Sequence, residues 1–191
     1  MSIKEKRAMR RRKREQRYKE RRRAIAEYAK DILESENFKK SGRFMQHGTI
    51  SVRKHSISVA ECSLEMEKKL NRLGISCHER ELVRGALLHD YFLYDWHDPK
   101  SHRRLHGFHH PAVALENASR EYTVSPREAD IISKHMWPLT LKVPACREAW
   151  IVTAADKYCS ARETLFCRKK IPVRAVRGGS FGNDGSRRGL Y

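Results

Sequence analysis

No stretch of this 191-residue chain approaches the roughly 18 consecutive apolar residues that a bilayer-spanning helix needs. Its positively charged N-terminus has no apolar segment behind it, so a secretory signal is not expected either. The five cysteines (Cys62, Cys77, Cys146, Cys159 and Cys167) are odd in number, irregularly spaced and without a CxxC. They read as ordinary residues of a reducing compartment rather than a disulfide framework or a zinc knuckle. A cytoplasmic protein is the resulting expectation.

Acidic residues are scarce as well, with 23 Asp and Glu against 41 Lys and Arg, for a net charge of +18. The excess sits at the two ends. Residues 1–30 carry 14 Lys and Arg against 4 Glu, and residues 168–191 carry 7 against the single Asp184. The middle is almost neutral and holds all 10 histidines. What the ends touch and what the middle does are therefore separate questions.

Three regions follow. Residues 1–30 form a basic arm of good helix formers (KEKRAMRRRKREQRYKERRR) without an apolar stripe, so an isolated helix works against its own charge repulsion. Such an arm is either a solvated helix or an electrostatic contact for RNA, DNA or an anionic membrane surface. Membrane insertion is the weaker form of that contact, because Met9 and Tyr18 alone make a poor apolar face. Further on, Ile25, Tyr28, Ile32 and Leu33 recur at helical spacing and can pack on the domain. Residues 31–171 read as an all-helical domain, and residues 172–191, rich in Gly, Ser and Arg, as a disordered basic tail.

Within the domain, a long helix is expected from about Ser51 to Leu73, with Val52, Val59, Leu64, Met66 and Leu70 on one side and Gly74 as its C′ stop. Ser76 and Glu79 have capping-box spacing ahead of Leu82, Val83, Ala86, Leu87 and Leu88. Residues 94–108 read as a polar loop. His110-Pro111 is expected to open a short helix, Ser125-Pro126-Arg127-Glu128 a second capping box, and Pro144 a last long helix with Trp150, Ile151, Ala154, Ala155 and Tyr158 on its apolar side. Trp96, Trp137 and Trp150 are expected first as core aromatics, with Trp137 also placed to wall a pocket beside His135.

Candidate ligands arrive on separate elements: His55, the adjacent His89 and Asp90, His110, His135 and Asp156. Adjacent His and Asp at the edge of the apolar run Ala-Leu-Leu need a partner for the negative charge, and a metal ion is one such partner. Imidazole with carboxylate suits manganese, iron, cobalt, nickel or zinc, whereas magnesium favours mostly oxygen. Spacing by itself does not show that these helices converge.

His55, then His89-Asp90 in ALLHD, then Asp156 in AADK together resemble the defining motif of the HD superfamily of metal-dependent phosphohydrolases. His110 in HHPAVAL and His135 in KHMWPL resemble the extra histidines of its two-metal members. The resemblance spans about Met45 to Glu163 and says nothing about the arm. It implies a packed helical fold, a first divalent ion on His55, His89, Asp90 and Asp156, a second on His110 and His135, and Asp90 bridging the two. HMWPLT lacks the second histidine, the glutamate and the Gly-Tyr-Pro run of the cyclic-dinucleotide branch, which argues against cyclic di-GMP as substrate.

The activity implied is hydrolysis of a phosphate ester or anhydride in a small nucleotide-like molecule, with one or two divalent transition-metal ions activating water. Lys157, Lys134 and Lys54, each next to a candidate ligand, are candidates for stabilising charge on phosphorus and equally fit exposed lysines. His109 is the alternative to His110. His97, Asp98 and His102 either line a pocket mouth or belong to a polar loop, and His106 lies in that loop. His47 and His78 read as surface or cap-neighbour residues. Two rival functions use the same donors: oxidative cleavage at a di-iron centre, and a non-catalytic, metal-stabilised module binding nucleotide or nucleic acid.

Overall fold

The computed structural model describes residues 1–47, 49–94 and 106–167. In chain order the elements are α1 (Ile3–Tyr28), α2 (Lys30–Glu34), α3 (Glu36–Lys40), a 3-10 turn (Ser41–Arg43), β1 (Met45–His47), β2 (Ile50–Ser51), α4 (Val52–Asn71), α5 (Glu79–Leu88), α6 (His106–Glu121), α7 (Pro126–Lys134) and α8 (Arg147–Cys167). The architecture is all-α apart from the antiparallel β1–β2 pair, in which Met45 faces Ser51 and His47 faces Ile50. No helix among the described residues is long and apolar enough to cross a membrane.

Helix α4 packs on α5 and α8, and α7 closes the bundle against both α5 and α8. The centre is filled by Val59 and Leu64 of α4, Leu82, Ala86 and Leu87 of α5, Ile131 and Ile132 of α7, and Val152, Ala155 and Cys159 of α8, all buried. Ile25 and Ile32 join this core, while Tyr28 and Leu33 pack against it from its edge. The first twenty residues of the chain are exposed on every side. A buried ion pair ties the layers together: Arg84 donates to Glu128 (2.9 Å) at the start of α7 and to both oxygens of Asp31 (2.7 and 2.8 Å) in α2.

Helix ends show where local rules held and where tertiary contacts replaced them. Gly74 stands at φ +80°, with its N–H on the Asn71 carbonyl and the Ile75 N–H on that of Leu70, a Schellman closure of α4. Ser125 and Glu128 form the expected capping box, with Pro126 in the first turn of α7. Ser76 and Glu79 do not form one. His78 is the N-cap of α5, without a side-chain cap, and its N–H donates to Glu148 Oε1 of α8 instead (2.8 Å).

Proline marked two helix starts incorrectly. Pro111 lies inside α6, which already begins at His106, and there it cannot donate to the Gly107 carbonyl one turn earlier. Pro144 precedes α8 by three residues, because Asp130 Oδ2 takes up the N–H groups of Ala145 (2.8 Å) and Cys146 (3.0 Å) and thereby sets where that helix begins. The apolar side of α8 also differs from expectation. Ala149, Val152, Ala155 and Cys159 are buried with Ile151, whereas Trp150, Ala154 and Tyr158 face outward. Trp150 packs edge-on against the half-buried Trp137, with ring centroids 4.9 Å apart, so this is a surface pair rather than core.

Helices α5 and α7 touch where Gly85 meets Ile131. A Cβ on Gly85 would lie 2.5, 2.9 and 3.0 Å from three side-chain atoms of Ile131. In an open helix Gly→Ala stabilises by up to about 1 kcal/mol. Here the overpacking dominates, and Gly85→Ala is expected to destabilise by about 1–3 kcal/mol, read as a lower urea midpoint at unchanged slope. A midpoint at or above that of the native protein would contradict the close approach.

Candidate metal centre

Each candidate ligand lies on a helix or directly beyond the end of one. His55 lies in the first turn of α4, which Ser51 caps. His89 is the C-cap of α5 and His135 the C-cap of α7. His110 belongs to the first turns of α6, and Asp156 to the middle of α8. All are buried, as is Asp90. Two helix C-termini therefore aim their partial negative charge at one point, which favours a cation there.

His89 and His135 repeat one local arrangement. Nδ1 of His89 lies 2.8 Å from the Ala86 carbonyl and Nδ1 of His135 lies 2.8 Å from that of Ile132. A carbonyl only accepts, so each Nδ1 carries the proton, and in the neutral ring Nε2 presents its lone pair. His89 Nε2 faces Asp90 Oδ2 at 3.2 Å and Asp156 Oδ1 at 3.8 Å. His135 Nε2 faces Asp90 Oδ1 at 3.6 Å and lies 2.9 Å from His110 Nε2, which is itself 3.1 Å from Asp90 Oδ1. His55 Nε2 lies 3.1 Å from Asp156 Oδ1 and 3.8 Å from Asp90 Oδ2.

Lone pairs and carboxylate oxygens thus converge on common points. Despite these approaches, the buried His89 Nε2 and Asp90 Oδ1 have no partner of hydrogen-bonding geometry among the described residues. Ligand atoms of His55, His89 and Asp156, and separately of His89, Asp90 and His135, lie within 4.8 Å of one another, and each group could hold a metal ion. A donor set of imidazole and carboxylate fits a divalent transition metal.

Without an ion, protons supply the positive charge. Burial pushes the His55 imidazole down, but hydrogen bonds to Asp156 and Glu163 outweigh it and raise its pKa to about 9. Burial likewise opposes charge on His89, and the Asp90 carboxylate overcomes it, holding that pKa well above the usual value. Asp90 and Asp156 are held well below the carboxylate range, burial being outweighed by their histidine partners. His135 is lowered to about 3 by burial and by its charged neighbour His89. An entering ion must displace protons from His55 and His89.

Beside the cluster a cavity of about 790 Å3 opens, with Asp90, His110, His135 and Asp156 at its base and Met136 and Leu139 on its walls. A family model for the HD domain matches residues 52–161, well over half of the chain. The chain belongs to the HD domain family. Neither curated proteins nor solved structures provide a match. The matched stretch opens with α4 and ends within α8, taking in His55, the His89-Asp90 pair and Asp156.

Around this HD domain core the remaining candidates separate. Of the adjacent pair, His110 is buried and reaches Asp90 (3.1 Å), whereas His109 is exposed. Lys157 lines the cavity, its Nζ donating to the His135 carbonyl (3.1 Å), and burial lowers its pKa. Lys134 is not brought to the cavity: it pairs with Asp130 one turn back along α7. Lys54 is exposed. His78 pairs with Glu81 at the surface (3.5 Å). Trp137 is not among the residues lining the cavity. Trp96, His97, Asp98, His102 and the tail 172–191 lie outside the described residues, as do the side chains of His47 and His106.

Two residues of the site were not anticipated. Glu163 accepts from His55 Nδ1 (2.9 Å), orienting that ring as outer-shell carboxylates orient metal-binding histidines. Its signal was its place two turns beyond Asp156 on one helix face. Gln46 on β1 donates to Asp90 Oδ2 (2.6 Å), and a lone glutamine in a short strand carries no sequence signal.

The native protein purified without chelator is expected to contain transition metal, and the His89→Ala/Asp90→Asn double variant to contain none, by elemental analysis. Because uptake displaces protons from groups with raised pKa values, affinity for manganese should rise as pH goes from about 6 to 8.5. Glu163→Gln should weaken that affinity about 10- to 100-fold while leaving the fold intact by circular dichroism. Equal metal content in native and double-variant protein would rule out the centre.

Proposed function

We propose that this HD domain hydrolyses a phosphate ester or anhydride in a small nucleotide-like molecule, with His55, His89, Asp90 and Asp156 holding one divalent ion, and His110 and His135 holding a second. The observation that carries this reading is the two-sided placement of Asp90. Its Oδ2 faces His55 and His89, its Oδ1 faces His110 and His135, and so one carboxylate stands between two imidazole sets. When bound in such a pair of positions, divalent ions supply Lewis acidity to a phosphoryl oxygen and lower the pKa of water toward neutrality.

The protein's own residues supply the rest. Gln46 holds Asp90 Oδ2 and Ser160 holds Asp156 Oδ1 (3.2 Å), so both carboxylates are kept from rotating. Lys157, exposed and tethered to the His135 carbonyl, places a cation at the cavity rim, where it can pair with a phosphate and with charge developing on it. Met136, Pro138 and Leu139 give the cavity an apolar wall that suits the flat face of a base or sugar. A small substrate with a phosphate at one end and an apolar planar group at the other matches this distribution.

Phosphomonoesters, nucleotides, dinucleoside polyphosphates and cyclic dinucleotides should be tested with manganese, iron, cobalt, nickel, zinc and magnesium, both anaerobically and in air. Turnover of a nucleotide-type phosphate with a transition metal and without oxygen is expected. Asp90→Asn should abolish it, and Lys157→Ala should lower kcat by about 10²–10³, the cost of removing one charge-stabilising donor. Oxygen-dependent product release would assign di-iron oxidation instead, and failure across the whole panel would overturn hydrolysis in favour of a binding module.

A further inference from the structure

A second large hollow, of about 820 Å3, lies between α1, α4 and α8. Arg10, Arg14, Arg17 and Arg21 of α1 and Arg162 of α8 line it, together with Tyr18. A neighbouring hollow of about 500 Å3 shares Arg14, Arg21 and Arg162 and adds Lys69 of α4 and Tyr158 of α8. Together they form one groove. It is separate from the metal cavity, since Lys157 and Ser160 look into that cavity while Tyr158 and Arg162, about half a turn round α8, look into the groove.

The groove has cations to spare. Its carboxylates are Glu15, Glu61 and Glu65, of which Glu61 pairs with Arg22 (3.4 Å) and Glu65 with Arg21 (3.3 Å). Among the described residues, no carboxylate lies within ion-pair distance of Arg10, Arg14, Arg17 or Arg162. Like charges on neighbouring turns of an exposed helix repel, so a polyanion laid along them gains Coulomb energy and releases its counterions.

Aromatic placement narrows the class of polyanion. Tyr18 is 47% and Tyr158 55% exposed, and the Arg162 guanidinium lies 5.8 Å from the Tyr158 ring centroid. Exposed tyrosines among arginines are stacking platforms for unpaired bases, which a duplex does not offer. A bilayer fits poorly, because the arm is exposed all round and has no apolar face to insert.

We infer that this groove binds single-stranded nucleic acid, with phosphates against Arg10, Arg14, Arg17, Lys69 and Arg162 and bases against Tyr18 and Tyr158. The inference is independent of hydrolysis, because groove and cavity share no lining residue. Sequence alone pointed only to the arm. Here the arm is one wall and α4 and α8 supply the other, so binding belongs to the folded domain as much as to its extension. RNA and DNA strands share the recognised chemistry.

Fluorescence anisotropy on the full-length chain tests it, with labelled 20-nucleotide oligo-U and oligo-dT, a 20-base-pair duplex, and vesicles containing phosphatidylserine. Tight binding to one or both single strands is expected, falling by more than about a hundredfold between 50 and 200 mM salt. Tyr158→Ala should weaken it about five- to tenfold at fixed salt, while Tyr158→Phe, which keeps the ring, should bind like the native protein. Arg162→Ala and Lys69→Ala, on separate helices, should each weaken binding and flatten its salt dependence, with metal content unchanged. Native-like binding by Tyr158→Ala, Arg162→Ala and Lys69→Ala together would overturn the groove and leave the arm as the sole contact. Tighter binding to duplex or vesicles than to either strand would overturn it as well.

Discussion

Buried negative charge at the meeting point of two helix C-termini is the constraint on which the rest of the structure depends. Asp90 and Asp156 lie inside a bundle whose α5 and α7 dipoles also point their negative ends at the same place. Positive charge is required there, and the protein can obtain it from protons on His55 and His89 or from metal. The histidines are therefore placed to accept either. Their Nδ1 atoms are tied down by carbonyls or by Glu163, and their Nε2 atoms are turned inward.

This demand explains the packing around the centre. Asp90 directly follows the last turn of α5, and the next residue, Tyr91, is anchored on both sides. Its hydroxyl donates to Glu121 (2.6 Å), and its carbonyl accepts from Asn117 (3.0 Å). Tyr122 extends the network to Ser35 (2.6 Å). The segment leaving the HD pair is thus bonded to α6, the helix that also carries His110. Hydroxyl and amide contacts away from the centre hold the backbone that aims Asp90.

Much of the fold was legible because its signals are local. Gly74 and the Ser125–Glu128 box did what a left-handed stop and a capping box do, and the apolar spacing of α4 and α5 identified their buried faces. The His-Asp motif singled out side chains that the structure brings together, because a charged cluster can be buried only where partners converge on it. What was illegible depends on contacts between distant elements. Glu148 replaces a cap for α5, and Asp130 sets the start of α8; neither leaves a mark near the helix end that it serves. In α8 the amphipathic Trp150 and Tyr158 obscure the phase, for the face that Asp156 shares with Ala149, Val152, Cys159 and Glu163 is the buried one. Gln46 reaches the site through a two-stranded turn whose pairing has no periodic pattern. The second wall of the basic groove was hidden likewise, since Lys69, Tyr158 and Arg162 stand far from the arm in sequence.

The contact between Gly85 and Ile131 gains a meaning from its position. Gly85 lies one turn before His89, and Ile131 one turn before His135, so the two helices are in tight contact one turn behind their inward-facing imidazoles. A residue without a side chain thereby works as a gauge for the centre: how far apart the two imidazoles stand, one on each side of Asp90, depends on an atom that is missing from the backbone behind them.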